Sequence, residues 1–143
     1  MRFMEPLSRA WNIGLLGLTA ALTGLSCSGA VAQNWNQPIP EPATESTEQT
    51  IKLADQLNRV GARFFGAHWC PACKQQMKLF GKQAGRQLNY VECGRPDEFP
   101  DQVEQCREAK IQSIPTWTQP GSKRLEGVQS INTLERWSAQ NPQ

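Results

Sequence analysis

The sequence predicts an α/β fold, a small mixed β-sheet flanked by helices. Three observations carry that reading. Apolar residues recur at helical spacing in four stretches, and short apolar or aromatic runs between them read as buried strands. The order is helix, strand, helix, strand, helix, strand, strand, helix. It divides into a βα-β half and a ββα half, which suits one mixed sheet covered on both faces. A chain of 143 residues allows one domain plus extras, and 38% hydrophobic residues suffice for one modest core. The net charge of +2 is spread along the chain, without the basic footprint of a nucleic-acid binder. No Gly-rich phosphate loop is visible.

Residues 1–32 read as a secretory signal peptide. Arg2 and Arg9 precede an apolar run over 13–25, small residues follow, and Ala30-Val31-Ala32 matches an A-x-A cleavage site. Cleavage after Ala32 makes Gln33 the first mature residue. The run falls short of the roughly 20 apolar residues a spanning helix needs. An uncleaved anchor extended through 30–32 is one alternative. A lipidated Cys27 is another, poorly served by Gly24-Leu25-Ser26, which places a glycine three positions before the cysteine. Loss of 1–32 reduces the cysteines from five to four, Cys70, Cys73, Cys93 and Cys106, an even set suited to an oxidising compartment. Residues 33–46 hold three prolines among polar residues and read as a flexible linker, with Trp35 and Ile39 incidental to it.

The folded domain is expected over 47–143. Ser46 with Gln49 makes a capping box for a helix reaching about Val60, with Leu53, Leu57 and Val60 on one face and Gly61 as its stop. Residues 62–67 (ARFFGA) read as a buried strand. A second helix starts near Cys70, and Cys73, Met77, Phe80 and Ala84 share its apolar face. Gly81 and Gly85 weaken it by about 1 kcal/mol each relative to alanine. Residues 88–93 (LNYVEC) form the second strand, and 100–110 a third helix with Val103, Cys106 and Lys110 along one side. Strands follow over 115–119 and 123–128, joined by a type II turn at Pro120-Gly121. Ser130 or Asn132 caps a last helix carrying Leu134 and Trp137.

The C-x-x-C pair lies where the first strand gives way to the second helix. There the first cysteine meets unpaired backbone N–H groups and the positive end of the helix dipole, which stabilise a thiolate. Cys70, open to visiting proteins, is then the attacking sulfur. Cys73, one turn in and more buried, resolves the mixed disulfide. Pro71 suits the first helical position. Trp69 supplies an apolar wall, and Lys74 is a solvated cation. Zinc is the competing use of Cys70 and Cys73, but a structural site needs four ligands, often as two such knuckles. Cys93 and Cys106, with twelve residues between them, lie on a strand and a helix instead. His68, two residues before Cys70, either modulates that thiolate or is an exposed histidine.

AHWCPACK resembles the active site of thioredoxins, A-x-W-C-x-x-C-K after an aromatic strand, and Ile114-Pro115-Thr116 resembles their cis-proline loop. A closer resemblance is to the thioredoxin-like domain joined to bacterial and plant homologues of vitamin K epoxide reductase. CPACKQQMKLFGKQA, YVEC, QCREAKIQSIPTW and LEGVQSINTLERW carry it, and it extends over roughly 50–140. The resemblance implies a thioredoxin-like fold, catalysis by Cys70 and Cys73, and a substrate-binding edge at Trp69, Ile114 and Pro115. It also implies a second cysteine pair, matched by Cys93 and Cys106, either a structural disulfide or a second redox pair. In that family a membrane part passes electrons from the soluble domain to a quinone. No further segment here could span a membrane, so the chain resembles a free-standing soluble half.

One departure stands out. Thioredoxins hold a buried aspartate six residues before the first cysteine, and this chain has Phe64 there, with no carboxylate nearby in the strand. That fits an oxidant or relay better than a reductase. The expectation is an exported, monomeric thiol–disulfide oxidoreductase of the periplasm or thylakoid lumen, needing no cofactor or metal and binding no nucleic acid. It would oxidise client proteins' thiols and pass electrons to a membrane partner of the vitamin K epoxide reductase type. A disulfide reductase or isomerase, or a non-catalytic binding or assembly module, is the alternative.

Overall fold

A computed structural model describes residues 37–140; the leader over 1–32, with Cys27, and Trp35 lie outside the described residues. Strand β1 (Arg63–Gly66) is central. It pairs in parallel with β2 (Tyr90–Glu92) and antiparallel with β3 (Thr116–Thr118), and β4 (Leu125–Glu126) adds antiparallel to β3. The strand order is β2-β1-β3-β4. Helices α1 (Glu48–Arg59), α2 (Pro71–Gln87), α3 (Pro100–Glu108) and α4 (Ile131–Ser138) complete the domain. A four-stranded mixed sheet with these helices is consistent with a thioredoxin-like fold. None of the helices among the described residues is long and apolar enough to cross a membrane.

Successive residues of β1 point to opposite faces, and both are buried, which is why the strand reads as a continuous aromatic run. Phe64 joins the larger core with residues of α1, α2 and α4, including Leu57, Met77, Phe80 and Leu134. Its ring stacks on Trp117 of β3 with centroids 4.7 Å apart and meets Tyr90 of β2 edge-on at 5.3 Å. Phe65 packs on the other face with Val91 and Cys106 of α3. Cys73, Met77, Phe80 and Ala84 form the buried stripe of α2.

Several boundaries differ from expectation. Thr47, not Ser46, caps α1, and Thr47 and Thr50 exchange reciprocal side chain to backbone bonds of 3.0 and 3.2 Å. Helix α3 ends at Glu108, two residues early. Lys110 sits at φ 51° beyond it, and the Arg124 guanidinium donates to the carbonyls of Ala109 and Lys110, closing the helix end. β4 is only two residues long. Gly121 at φ 73° and a Ser122 N–H to Gln119 carbonyl bond of 3.3 Å form the turn before it. Ser130 rather than Asn132 caps α4, accepting from the Thr133 N–H at 3.1 Å.

The reading of 33–46 as a flexible linker with an incidental Ile39 is corrected over its described part, 37–46. Ile39 is 0% exposed and belongs to the main core. The cause lies in α2, which breaks at Gly81 (φ 80°, ψ −178°). The break opens two i→i−4 bonds, and the incoming segment refills both. The Lys82 N–H donates to the Thr44 carbonyl while the Thr44 hydroxyl donates to the Lys78 carbonyl, each at 2.9 Å. The Ser46 hydroxyl accepts from the Ala84 N–H and donates to the Phe80 carbonyl, at 2.9 and 2.8 Å. A Cβ at position 81 would lie 2.6 Å from the Glu45 carbonyl oxygen, so only glycine allows this approach. Glu41 adds an ion pair with Arg86. Polar, proline-rich composition thus concealed a strap whose backbone bonds are supplied by a broken helix.

Ile39→Ala should therefore cost about 2–5 kcal/mol of unfolding free energy, as for a buried aliphatic residue. A tether position would change stability by no more than about 0.5 kcal/mol. Urea denaturation of the two proteins measures the difference.

Candidate redox site

The chain leaves β1 at Gly66, turns through 67–69, and enters α2 with Cys70 as the N-cap (φ −72°, ψ 116°) and Pro71 at the first helical position. A bond from the Cys70 N–H to the Ala67 carbonyl, 3.0 Å, fixes the turn. One helix N–H that would otherwise lack a partner, that of Cys73, donates to Cys70 Sγ at 3.2 Å. The two sulfurs are free thiols, and Cys73 Sγ lies 2.7 Å from Cys70 Sγ. Opposite them the Ile114–Pro115 bond is cis, and the Ile114 carbonyl lies 3.9 Å from Cys70 Sγ. Cys70 is less open than expected, at 4% exposure, because this loop lies across it. Trp69 is 58% exposed beside it. The indole rests tightly over Gly94, where a Cβ would come 2.6 Å from Trp69 Nε1.

Cys73 is 0% exposed. It is seated against the end of β1 because Gly66 has no side chain. A Cβ there would lie 2.8 Å from the Tyr90 ring, 3.2 Å from Cys73 Sγ and 3.3 Å from the Tyr90 hydroxyl. Burial pushes the Cys73 thiol well above its ordinary range. The hydrogen bond with Cys70 adds to this, as do negative charge on Cys70 and Glu92, while a backbone contact at Ala67 opposes it. Cys73 is therefore held as a thiol. The Tyr90 phenol is likewise pushed up, chiefly by burial and then by Glu92, and stays protonated.

Sequence reasoning missed Glu92. It is 0% exposed, the only charged side chain buried among the described residues. In the β1–β2 register it stands beside Gly66. Its carboxylate accepts from the Tyr90 hydroxyl at 2.9 Å, the Gly94 N–H at 2.7 Å and the His68 N–H at 3.0 Å. His68 Nδ1 lies 3.4 Å from Oε1, so the histidine faces Glu92. A glutamate between Val91 and Cys93 in an otherwise apolar strand was the available signal.

Cys93 and Cys106 form a disulfide with Cα atoms 5.8 Å apart. It belongs to the cluster on the Phe65 face, whereas Cys70 and Cys73 belong to the core on the Phe64 face. A groove of about 330 Å³ runs beside it, lined by Val103, Arg107, Ile111 and Ile114 among others. Among the described residues, no cluster of three or more His, Cys, Asp or Glu side chains is placed to hold a metal ion.

No family model matches the chain. It is similar to thiol-disulfide oxidoreductase LTO1 of Arabidopsis thaliana, with 39% identity over 84 residues. The match covers 54% of this chain and 21% of that protein, so the chain spans about a fifth of the relative's length.

The raised Cys73 thiol fixes a sign for stability against pH. An unfolded cysteine ionises near 9.0, while the folded thiol keeps its proton beyond that point. The unfolded state then binds fewer protons, so the stability of the reduced protein should fall as pH rises above that value. The slope should approach about 1.4 kcal/mol per pH unit for this group. Urea titrations of the reduced protein and of Cys73→Ala across this range check it, since the variant should lack that part of the decline.

Proposed function

We propose that the protein catalyses dithiol–disulfide exchange with cysteines of other proteins, through Cys70 and Cys73. The observation that carries this reading is the N-cap placement of Cys70 with its sulfur 2.7 Å from that of Cys73. A pair this close can close into a disulfide after a small sulfur movement. Because burial holds Cys73 protonated, Cys70 is the sulfur left to attack or be attacked first. The similarity to a thiol-disulfide oxidoreductase spanning 54% of the chain supports the same chemistry.

In the favoured direction a client thiolate attacks the Cys70–Cys73 disulfide at Cys70, and Cys73 leaves. The client's second thiolate then attacks its own sulfur in the mixed disulfide, giving a client disulfide and the reduced pair. The two electrons pass on to a membrane partner of the vitamin K epoxide reductase type, and the work takes place after export, in a periplasm or thylakoid lumen. This direction rests on the resemblance to domains joined to such reductases. Trp69 and the Ile114–Pro115 edge form the surface against which an extended client lies, its backbone pairing beside the cis proline.

A reductase reading is favoured by one observation. Phe64 leaves its own strand without a carboxylate, but Glu92 brings one to the pair from β2. A carboxylate missing from β1 therefore does not by itself favour an oxidant.

Oxidation of a reduced, unfolded protein substrate and reduction of insulin, run side by side, test the proposal. Cys70→Ser should lose at least about a thousandfold of whichever activity is present, as for removal of a nucleophile. Cys73→Ser should accumulate a mixed disulfide with clients, identifiable by mass spectrometry. Exchange that survives in Cys70→Ser would overturn the assignment, and absence of both activities in the wild type would favour a binding module.

A further inference from the structure

Resolution requires a buried thiol to lose a proton. Cys73 is sealed from water on the strand side by Gly66 and Tyr90, and on the other side by Cys70. Once Cys70 is tied up in a mixed disulfide, bulk water has poor access to the proton on Cys73. A nearby group must take it.

Glu92 is the one buried charged side chain among the described residues, and its surroundings are built around a carboxylate. Two backbone N–H groups and one hydroxyl converge on its oxygens. No lysine or arginine pairs with it among the described residues; the only cationic candidate is His68. The titratable groups facing it are Tyr90 from its own strand, His68 from the loop before α2, and Cys73 from the first turn of α2. Helix α3 contributes the neutral Gln102, whose side-chain oxygen accepts from the Glu92 N–H at 2.7 Å. The Tyr90 hydroxyl donates to Glu92 Oε2 at 2.9 Å, and it borders the same small space beside Gly66 as the Cys73 sulfur: a Cβ there would lie 3.3 Å from the hydroxyl and 3.2 Å from Cys73 Sγ.

Resting on the exchange activity proposed above, we propose that Glu92 accepts the Cys73 proton during resolution, with the Tyr90 hydroxyl as the carrier. The Cys73 S–H proton passes to the Tyr90 oxygen as the Tyr90 proton passes to Glu92. The Cys73 thiolate attacks Cys70 Sγ, and the Cys70–Cys73 bond forms. The bond from Cys70 to the client sulfur breaks, and the client leaves with the electron pair as a thiolate. In the opposite direction Glu92 returns the proton to Cys73 as Cys73 is displaced. Glu92 thus acts on the resolving sulfur and not on the attacking one.

That asymmetry makes the test. Reduced protein is mixed rapidly with 5,5′-dithiobis(2-nitrobenzoate), and released thionitrobenzoate is followed by absorbance. Attack by Cys70 releases the first equivalent, and attack by Cys73 on the Cys70 mixed disulfide releases the second. In Glu92→Gln the first phase should stay within about twofold of wild type. The second should slow at least about tenfold near neutral pH, the low end for loss of a proton-transfer group. The deficit should shrink as the solution is made alkaline and hydroxide takes over. Tyr90→Phe, which removes only a hydroxyl, should show the same split, and it decides the matter if near-UV circular dichroism shows Glu92→Gln unfolded. A folded variant of either kind whose second phase keeps the wild-type rate and pH profile overturns the proposal. So does equal slowing of both phases. Absence of a first phase in the wild type would instead refute the exchange activity on which the proposal rests.

Discussion

The contact on which the redox end of the molecule depends is the seating of Cys73 on Gly66. β1 is held between β2 and β3, and the Gly66 carbonyl accepts from the Cys93 N–H at 2.8 Å, so the strand cannot retreat. A methyl group at this position would press on the Tyr90 ring at 2.8 Å and on the Cys73 sulfur at 3.2 Å. The hydrogen atom of glycine therefore sets how close α2 comes to the sheet. It also sets how close the sulfur comes to the tyrosine, and through the tyrosine to the carboxylate. Larger side chains could fill the space only by lifting the helix, and with it the cysteine that caps it.

From that seating the two sulfurs acquire opposite surroundings, although only two residues separate them. Three residues of helix carry the chain through most of one turn, so Cys73 points back toward the strand while Cys70 remains at the rim. The rim position has a helix N–H directed at its sulfur and a cis-proline loop across from it. The inner position has aromatic and aliphatic neighbours and a negative carboxylate beyond them, all of which disfavour charge on sulfur. Division of labour between the cysteines is thus a consequence of helix pitch and a missing Cβ.

Features that depend on one element's own sequence were legible beforehand. The stripe Cys73, Met77, Phe80 and Ala84 follows from spacing alone, and all four are buried. The placement of Cys70 at a strand-to-helix junction follows from an aromatic run ending in a helix starter. Features that depend on two elements meeting were not legible from spacing and composition, although the family resemblance implied the Cys93–Cys106 pair and the cis-proline edge. Serine is a good cap and Ser46 reads as one, yet its hydroxyl is spent on the gap at Gly81, a gap visible only once that glycine's φ is known. Ile39 sits among prolines and polar residues, and its burial depends on the same gap. Glu92 lies outside the strand that carries Phe64, so that strand's own sequence shows no carboxylate. Parallel pairing instead sets Glu92 beside Gly66, from a strand about 26 residues later, and the register of that pairing is not written in either strand alone.

The second disulfide bears on the first pair through Glu92. Cys93 is the next residue after it, and Cys106 lies on α3, the helix that also supplies Gln102 to the Glu92 N–H. A bridge across 13 residues of separation removes loop entropy worth about 3 kcal/mol by the chain-entropy model. Here that constraint bears on the end of a three-residue strand, where fraying would otherwise be easy. The sheet keeps its sulfurs on the Phe65 face, away from Cys70 and Cys73. By tying β2 to α3 the bridge keeps a buried carboxylate within reach of Tyr90, and a buried carboxylate is the group least able to tolerate being set adrift from its donors. The two cysteine pairs are thus linked through the strand end that carries Glu92, the outer one holding in place the charge that the inner one meets.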